Sequence, residues 1–253
     1  MLRPRVIPVL TLQGDGMVKT TRFSHPRYLG DPVNALRIFN TKEVDELIIL
    51  DIEATSQDRR PNSDLIRGLA EECFMPITYG GGVASLSDAE LVLRAGCEKV
   101  SANSALLRDP ALVTKLADTF GSQSVVASMD VSRGRLGKYR VRDESGPRRL
   151  QNRDPVDWGR ELAERGAGEL LVTSVDRDGT AEGYDVELTS IISREVSVPV
   201  IACGGCGERG DIRDVLVSGA AAAGVGRMFL TRGPHFAALV SYLPPEEIDG
   251  LRF

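Results

Sequence analysis

Histidine and cysteine are scarce in this chain, and cations do not outnumber anions. Two histidines, His25 and His235, leave too little material for a histidine-rich metal site, so neither a metal nor another cofactor is expected. Four cysteines do not make a disulfide framework, and without an export signal they indicate a reducing, cytoplasmic setting. Lys and Arg number 31 against 36 Asp and Glu, a net charge of −5, which speaks against binding to nucleic acid or an anionic membrane. No apolar run approaches the ~18–20 residues of a membrane span. Residues 1–10 hold two arginines and a short apolar run with no small-residue cleavage site, so no signal peptide is read there.

What the chain does have is a repeated alternation of short apolar runs and longer amphipathic segments. At 253 residues it can bury roughly three quarters of its unfolded surface and needs no disulfide or metal to hold a core. Candidate strands fall at 5–10, 47–52, 75–79, 98–103, 124–130, 169–175, 198–203 and 221–226. Most are β-branched and nearly continuously apolar, as parallel strands covered on both faces are. Asp31-Pro32, Asp109-Pro110 and Asp154-Pro155 each offer a helix cap followed by proline at the first helical position. Ser87-Asp88-Ala89-Glu90 reads as a capping box, and Gly96 and Gly219 as helix stops. Eight strands alternating with helices predict an α/β fold, a single (β/α)8 TIM barrel, with a doubly wound open sheet as the competing architecture.

The chain also repeats itself. Asp31-Pro32-Val33 returns 123 residues later as Asp154-Pro155-Val156, and at the same offset Glu46-Leu47 matches Glu169-Leu170, Pro76 matches Pro199, and Gly81-Gly82 matches Gly204-Gly205. A constant offset across four landmarks predicts two tandem half-barrels, about 1–123 and 124–253, and favours the closed barrel. No linker separates them, so residues 1–253 read as one domain.

In such a barrel the chemistry lies where the strands end. Asp51, Asp130 and the Asp176/Asp178 pair fall there, and each could be a general acid or base, or a plain helix cap or turn residue. Gly80-Gly81-Gly82, Asn103-Ser104, Gly204-Gly205 and Gly224/Gly226 end four other strands, where small residues let backbone N–H groups approach a phosphate. One such cluster in each half suits a substrate with a phosphate at both ends; turn punctuation is the plainer alternative. Cys203-Gly204-Gly205-Cys206 has redox spacing, but its setting in a glycine cluster argues against a redox role. At the opposite strand ends lie Arg5, Glu46, Lys99 and Glu169, either solvated rim charges or an ion-paired ring closing the barrel bottom.

Together these residues resemble the cyclase subunit family of imidazole glycerol phosphate synthase, half-barrel-duplicated (β/α)8 proteins of histidine synthesis. The likeness runs over nearly the whole chain. It is carried by 5–10 (RVIPVL), Val18-Lys19, 45–52 (DELIILDI), 80–82 (GGG), 99–104 (KVSANS), 120–126 (FGSQSVV), 174–180 (SVDRDGT) and 201–205 (IACGG). The resemblance implies a class-I glutaminase docked on the barrel bottom, whose ammonia passes a charged gate and crosses the barrel to a phosphorylated substrate at the top. The gate residues match Arg5, Glu46, Lys99 and Glu169, with Gln123 nearby. The two phosphate sites match Gly82, Asn103 and Ser104, and Asp178, Gly179, Gly205 and Gly226. Lys19 matches the lysine of the mobile first loop, and Asp51 joins Asp130 and Lys19 as a candidate catalytic group.

One position departs from that family. Its catalytic pair is an aspartate ending strand one and another ending strand five; the second is present as Asp130, but the first falls on Thr11. A threonine hydroxyl cannot replace a carboxylate in general acid–base work near neutrality, and losing such a group commonly costs ~10²–10⁴-fold in rate. Arg227 is a lesser departure, an added cation beside the second phosphate site. A paralogous branch of surface-polysaccharide pathways lacks the same aspartate and is thought to supply ammonia for acetamidino groups on sugars. The stretches 30–39 (GDPVNALRIF), Phe39-Asn40, 72–76 (ECFMP) and 200–205 (VIACGG) are similar to that branch. The resemblance therefore implies an ammonia-channelling synthase subunit whose further partner is an amidotransferase acting on a sugar. A working histidine-pathway cyclase (a lyase) and a catalytically silent barrel that binds a phosphorylated metabolite are the alternatives, with the sibling sugar isomerase more distant.

Overall fold

The computed structural model describes residues 4–134, 136–143, 151–233 and 237–251; His235 lies outside them. Eight parallel strands follow the eight apolar runs: β1 (Arg5–Gln13), β2 (Leu47–Asp51), β3 (Ile77–Gly80), β4 (Lys99–Ala102), β5 (Val125–Arg133), β6 (Glu169–Ser174), β7 (Val200–Cys203) and β8 (Ala222–Val225). Each pairs with the next, and β1 pairs with β8 from Arg5↔Ala222 to Pro8↔Val225. That last pairing closes the sheet into a barrel and rules out the open doubly wound alternative. Helices α1 (Pro32–Thr41), α2 (Ser63–Glu72), α3 (Leu86–Arg94), α4 (Ala111–Phe120), α5 (Pro155–Glu164), α6 (Val186–Ser193), α7 (Arg209–Val217) and α8 (Pro245–Asp249) follow the strands in turn.

The strand residues divide by parity. Val6, Leu10 and Leu12 of β1, Leu47 and Ile49 of β2, and Val125, Ala127 and Met129 of β5 point outward into the layer between barrel and helices. Ile7, Val9, Ile48, Val126, Leu171, Ile201 and Ala222 point inward and form a separate apolar core inside the barrel. Side chains alternate across a strand, so a continuous apolar run serves both cores at once. Each fully buried Leu or Ile contributes about 1.5–3 kcal/mol relative to exposure.

The 123-residue offset is visible in local structure. α1 and α5 are each ten residues long, begin 123 residues apart, and are capped by Asp31 and Asp154, whose carboxylates accept from the Val33 and Val156 amides at 2.8 and 2.9 Å. Pro76 and Pro199 each precede a strand, and their carbonyls accept from the Leu47 and Leu170 amides. β3 and β7 start one residue after these prolines, two later than the apolar runs suggest, because proline has no N–H for the ladder.

Three further features differ from expectation. α4 begins one residue later than expected, with Pro110 rather than Asp109 at its cap, though Asp109 still accepts from the Ala111 amide at 3.1 Å. β1 and β5 run three residues past the expected ends, to Gln13 and Arg133, because each is prolonged by antiparallel pairing. Strand Gly16–Thr21 folds back on β1 and pairs with Ser24–Gly30, and strand Tyr139–Arg142 folds back on β5. The cap of α3 also sits two residues earlier than the expected capping box. α3 is capped by Ser85, whose Oγ accepts from the Asp88 amide, while Asp88 accepts from the Ala84 amide. Ser87 instead lies in the first turn, where its hydroxyl accepts from Arg60. The stops hold as expected, with Gly96 and Gly219 at φ +112° and +114° just past α3 and α7.

Candidate active site

Two sites lie at opposite ends of the barrel interior. At the foot of the strands, Arg5 on β1 donates through Nε and Nη2 to both oxygens of Glu46 at 2.6 and 2.7 Å, and through Nη1 to Glu169 on β6 at 2.5 Å. Lys99 on β4 donates to the other Glu169 oxygen at 2.7 Å and stands 4.0 Å from Glu46. The four side chains thus form a closed ring. Burial pushes the Glu169 carboxyl up, but the hydrogen bonds from Arg5 and Lys99 outweigh it and hold its pKa below the usual range. Hydrogen bonding to Glu46 likewise raises the Arg5 guanidinium pKa against the cost of its burial. Above the ring come the inward Ile7, Ile48, Val126, Leu171 and Ile201, which make the barrel interior apolar. Gln123 lies on the single turn Ser122–Ser124 at the foot of β5, exposed, with its amide donating to the Phe120 carbonyl at 3.4 Å.

At the other end the strands open into a cavity of about 450 Å³. Thr11, Lys19, Asp51, Gly82, Asn103, Ser104, Asp130, Asp178, Gly179, Gly205 and Gly226 all line it, drawn together from both halves of the chain. At Gly82 and Gly205 glycine is required by the backbone alone. Gly82 has φ +72° and a Cβ there would lie 2.5 Å from the Arg59 carbonyl; Gly205 has φ +111° and a Cβ would lie 2.1 Å from the Gly183 carbonyl. A loop crosses close over each, so the cradles are tight whether or not they hold an anion.

The polar groups of the mouth are cross-linked. Thr11, 9% exposed, donates its hydroxyl to the Val18 carbonyl at 2.5 Å across the β1 fold-back. Asp130 accepts from the Asn103 side-chain amide at 2.7 Å, and the buried Asn103 Oδ1 has no partner among the described residues. Asp51 accepts from the Glu53 and Ala54 amides at 3.0 Å and pairs with Arg59 at 3.3 Å, so it also organises the loop after β2. Lys19 and Thr20, on strand Gly16–Thr21, donate to the two Asp178 oxygens at 2.7 and 3.1 Å. The Arg22 amide donates to the Asp178 carbonyl at 2.8 Å, completing the clasp between the β1 hairpin and the loop after β6. From the other side Arg227 donates through Nη1 to the Gly179 and Thr180 carbonyls at 2.7 and 2.9 Å. Burial lowers the Arg227 pKa, but a guanidinium stays charged in proteins.

Neither cysteine of the C-x-x-C stretch is set up as a thiolate. Cys203 lines the cavity and Cys206 turns toward Met228 Sδ at 3.6 Å; burial pushes both thiols up to about 12. Among the described residues no three His, Cys, Asp or Glu side chains cluster as metal ligands, and no helix is long and apolar enough to cross a membrane. The Asn103–Asp130 bond and the Arg59–Asp51 pair are among the mouth contacts with no local signature in the sequence. At the barrel bottom Phe74, between α2 and β3, is 87% exposed.

Comparison with known proteins points to one family. Residues 5–233 match the family of histidine biosynthesis proteins. An imidazole glycerol phosphate synthase subunit of Pseudomonas aeruginosa, provisionally so named and designated hisF2, is 48% identical over 250 residues, covering 98% of this chain and 99% of that protein. The imidazole glycerol phosphate synthase subunit HisF of Alkaliphilus metalliredigens is 42% identical over 223 residues, 88% of each chain. That of a Nostoc species is 40% identical over 258 residues, 98% of this chain and 97% of its own.

Proposed function

The chain belongs to the histidine biosynthesis protein family, and from that premise we propose that it is the ammonia-channelling synthase subunit of a glutamine amidotransferase, weak or inactive as a cyclase. A class-I glutaminase docks on the barrel bottom and releases ammonia from glutamine. The Arg5–Glu46–Lys99–Glu169 ring is the gate. The apolar interior passes neutral ammonia but not ammonium, because an unpaired charge there would cost several kcal/mol. At the mouth, Gly82, Asn103 and Ser104 on one side, and Asp178, Gly179, Gly205 and Gly226 on the other, hold a phosphorylated small molecule. Asp130 and Lys19 are the acid–base groups that remain, with Asp51 shaping the loop beside them. The ammonia serves amidine formation on a sugar of surface-polysaccharide synthesis, by way of an amidotransferase that receives it.

The observation that carries this reading is Thr11. Its hydroxyl is committed to the Val18 carbonyl where ring closure needs a second carboxylate, while the gate ring is complete. Purifying the chain with its cognate glutaminase tests both halves. A complex with stimulated glutamine hydrolysis and negligible cyclisation of the histidine-pathway substrate is expected; no complex at micromolar concentrations overturns the channelling role. The names of the relatives favour a second reading, a working cyclase. Full cyclisation by the unaltered protein selects it, as would neighbouring histidine genes in place of polysaccharide genes.

A further inference from the structure

We propose that Asp176 is a positioning residue that ties together the two hairpins folded back beside the mouth, one from each half of the chain. Through it the second hairpin holds the first, and with it Lys19, in place. This rests on the reading of Lys19 as a working group of the mouth. The Asp176/Asp178 pair divides its tasks: Asp178 lines the cavity and pairs with Lys19, whereas Asp176 is not among the lining residues. Both ends of Asp176 are engaged elsewhere. Its carboxylate accepts from the amide of Arg133, the last residue of β5, at 2.7 Å. Its carbonyl accepts from Arg22 Nε, at the turn of the first hairpin, at 3.0 Å.

The internal repeat supplies a comparison. Glu53, 123 residues earlier, is the matching residue after β2. It too holds the last residue of its half's first strand, accepting from Gln13 Nε2 at 2.7 Å. Its carbonyl, however, stays within its own loop and accepts from the Gln57 amide and the Ser56 hydroxyl, both at 2.9 Å. The Asp176 carbonyl instead crosses to the other half. The two hairpins are also unequally secured. In the second, Arg133 donates to Glu187 and to the Tyr139 hydroxyl, both at 2.5 Å. That hydroxyl donates to Asp185 at 2.7 Å, and Asp185 caps α6 by accepting from the Leu188 amide. The first hairpin turns through Arg22 and Phe23 at φ +52° and +57°, a left-handed conformation that non-glycine residues keep only while contacts hold them. A chain of contacts thus runs from α6 through Tyr139, Arg133 and Asp176 to Arg22, on the hairpin that carries Lys19.

Amide hydrogen exchange on the intact chain tests this, read at the Arg22 amide and along Gly16–Thr21, with the amides of α3 as the control. Asp176→Ala should speed exchange in the first hairpin about tenfold, as loss of one hydrogen bond to a charged group does, and leave α3 unchanged. Asp176→Asn keeps an acceptor for the Arg133 amide and should restore most of the protection. Tyr139→Phe alters only contacts of the second half, yet should speed exchange in the first hairpin about threefold. Acceleration confined to Tyr139–Arg142 overturns the tie. Acceleration that includes α3 overturns it as well, because lost overall stability would then be the cause, and so does an Asp176→Asn variant as fast as Asp176→Ala. The measurement needs neither partner nor ligand, so the tie can fail while ammonia channelling stands, and channelling can fail in the glutaminase assay while the tie stands.

Discussion

The Thr11 hydroxyl donates to the Val18 carbonyl at 2.5 Å, tying the end of β1 to the strand that folds back on it. An ionised aspartate at this position has no proton to give and would face the carbonyl with a like partial charge. Thr11→Asp is therefore expected to lose about 1 kcal/mol of stability, the net worth of one hydrogen bond. It should also restore weak ammonia-dependent cyclisation by supplying the carboxylate opposite Asp130. A thermal melt and a cyclisation assay read the two effects. No activity after Thr11→Asp would show that the pocket, and not only one acid, has diverged.

The ion-paired ring at the foot of the barrel makes stability depend on acidity. The Glu169 carboxyl titrates lower in the folded chain than in the unfolded one, so its contribution is complete above the ordinary glutamate pKa of about 4.3. That contribution is lost as pH falls through the lower folded value. Glu169→Gln should cost about 2–3 kcal/mol at pH 7, below the ~3–5 kcal/mol of a fully buried pair because Arg5 and Lys99 keep 28% and 24% of their exposure. The penalty should shrink toward pH 3. Denaturant melts at pH 7 and pH 3 check it; an equal penalty at both would remove the ion pair as its cause.

Phe74 is the exposed aromatic nearest to hand for a partner at the barrel bottom. Its amide donates to the Asn40 side chain of α1 at 3.1 Å, and Pro76, two residues on, bonds to the Leu47 amide, so Phe74 stands on the bottom face near the foot of β2. Aromatic anchors of this kind dominate interface energies. Phe74→Ser should weaken association with the glutaminase by about tenfold or more while leaving the melting temperature of the isolated chain within a degree or two. Unchanged affinity by calorimetry would place the docking contacts elsewhere.

The cysteines should be inert. With thiols near 12, Cys97, Cys203 and Cys206 hold roughly one part in ten thousand thiolate at pH 8. Iodoacetamide at pH 8 should leave all three unmodified in the native protein and label them fully once it is denatured, read by mass spectrometry. Rapid native labelling of Cys203 or Cys206 would reopen a redox role for the C-x-x-C stretch.

The apolar runs, the Asp-Pro caps at Asp31 and Asp154 and the glycine stops at Gly96 and Gly219 were legible in the chain because each acts through residues close in sequence. The 123-residue repeat was legible too, since an offset needs no geometry. Strand ends were less so. The hairpin strands Gly16–Thr21 and Ser24–Gly30 carry little apolar alternation, the second being mostly exposed, and they form because β1 offers them an edge. Site residues could be named one by one from strand ends, yet their pairings could not. Asn103 meets Asp130, Lys19 meets Asp178 and Arg5 meets Glu169 across 27, 159 and 164 residues. Such contacts depend on barrel closure and on the inward parity of each strand, so a local pattern sets which residue faces the interior, and only the closed β1–β8 ladder decides which residue it meets there.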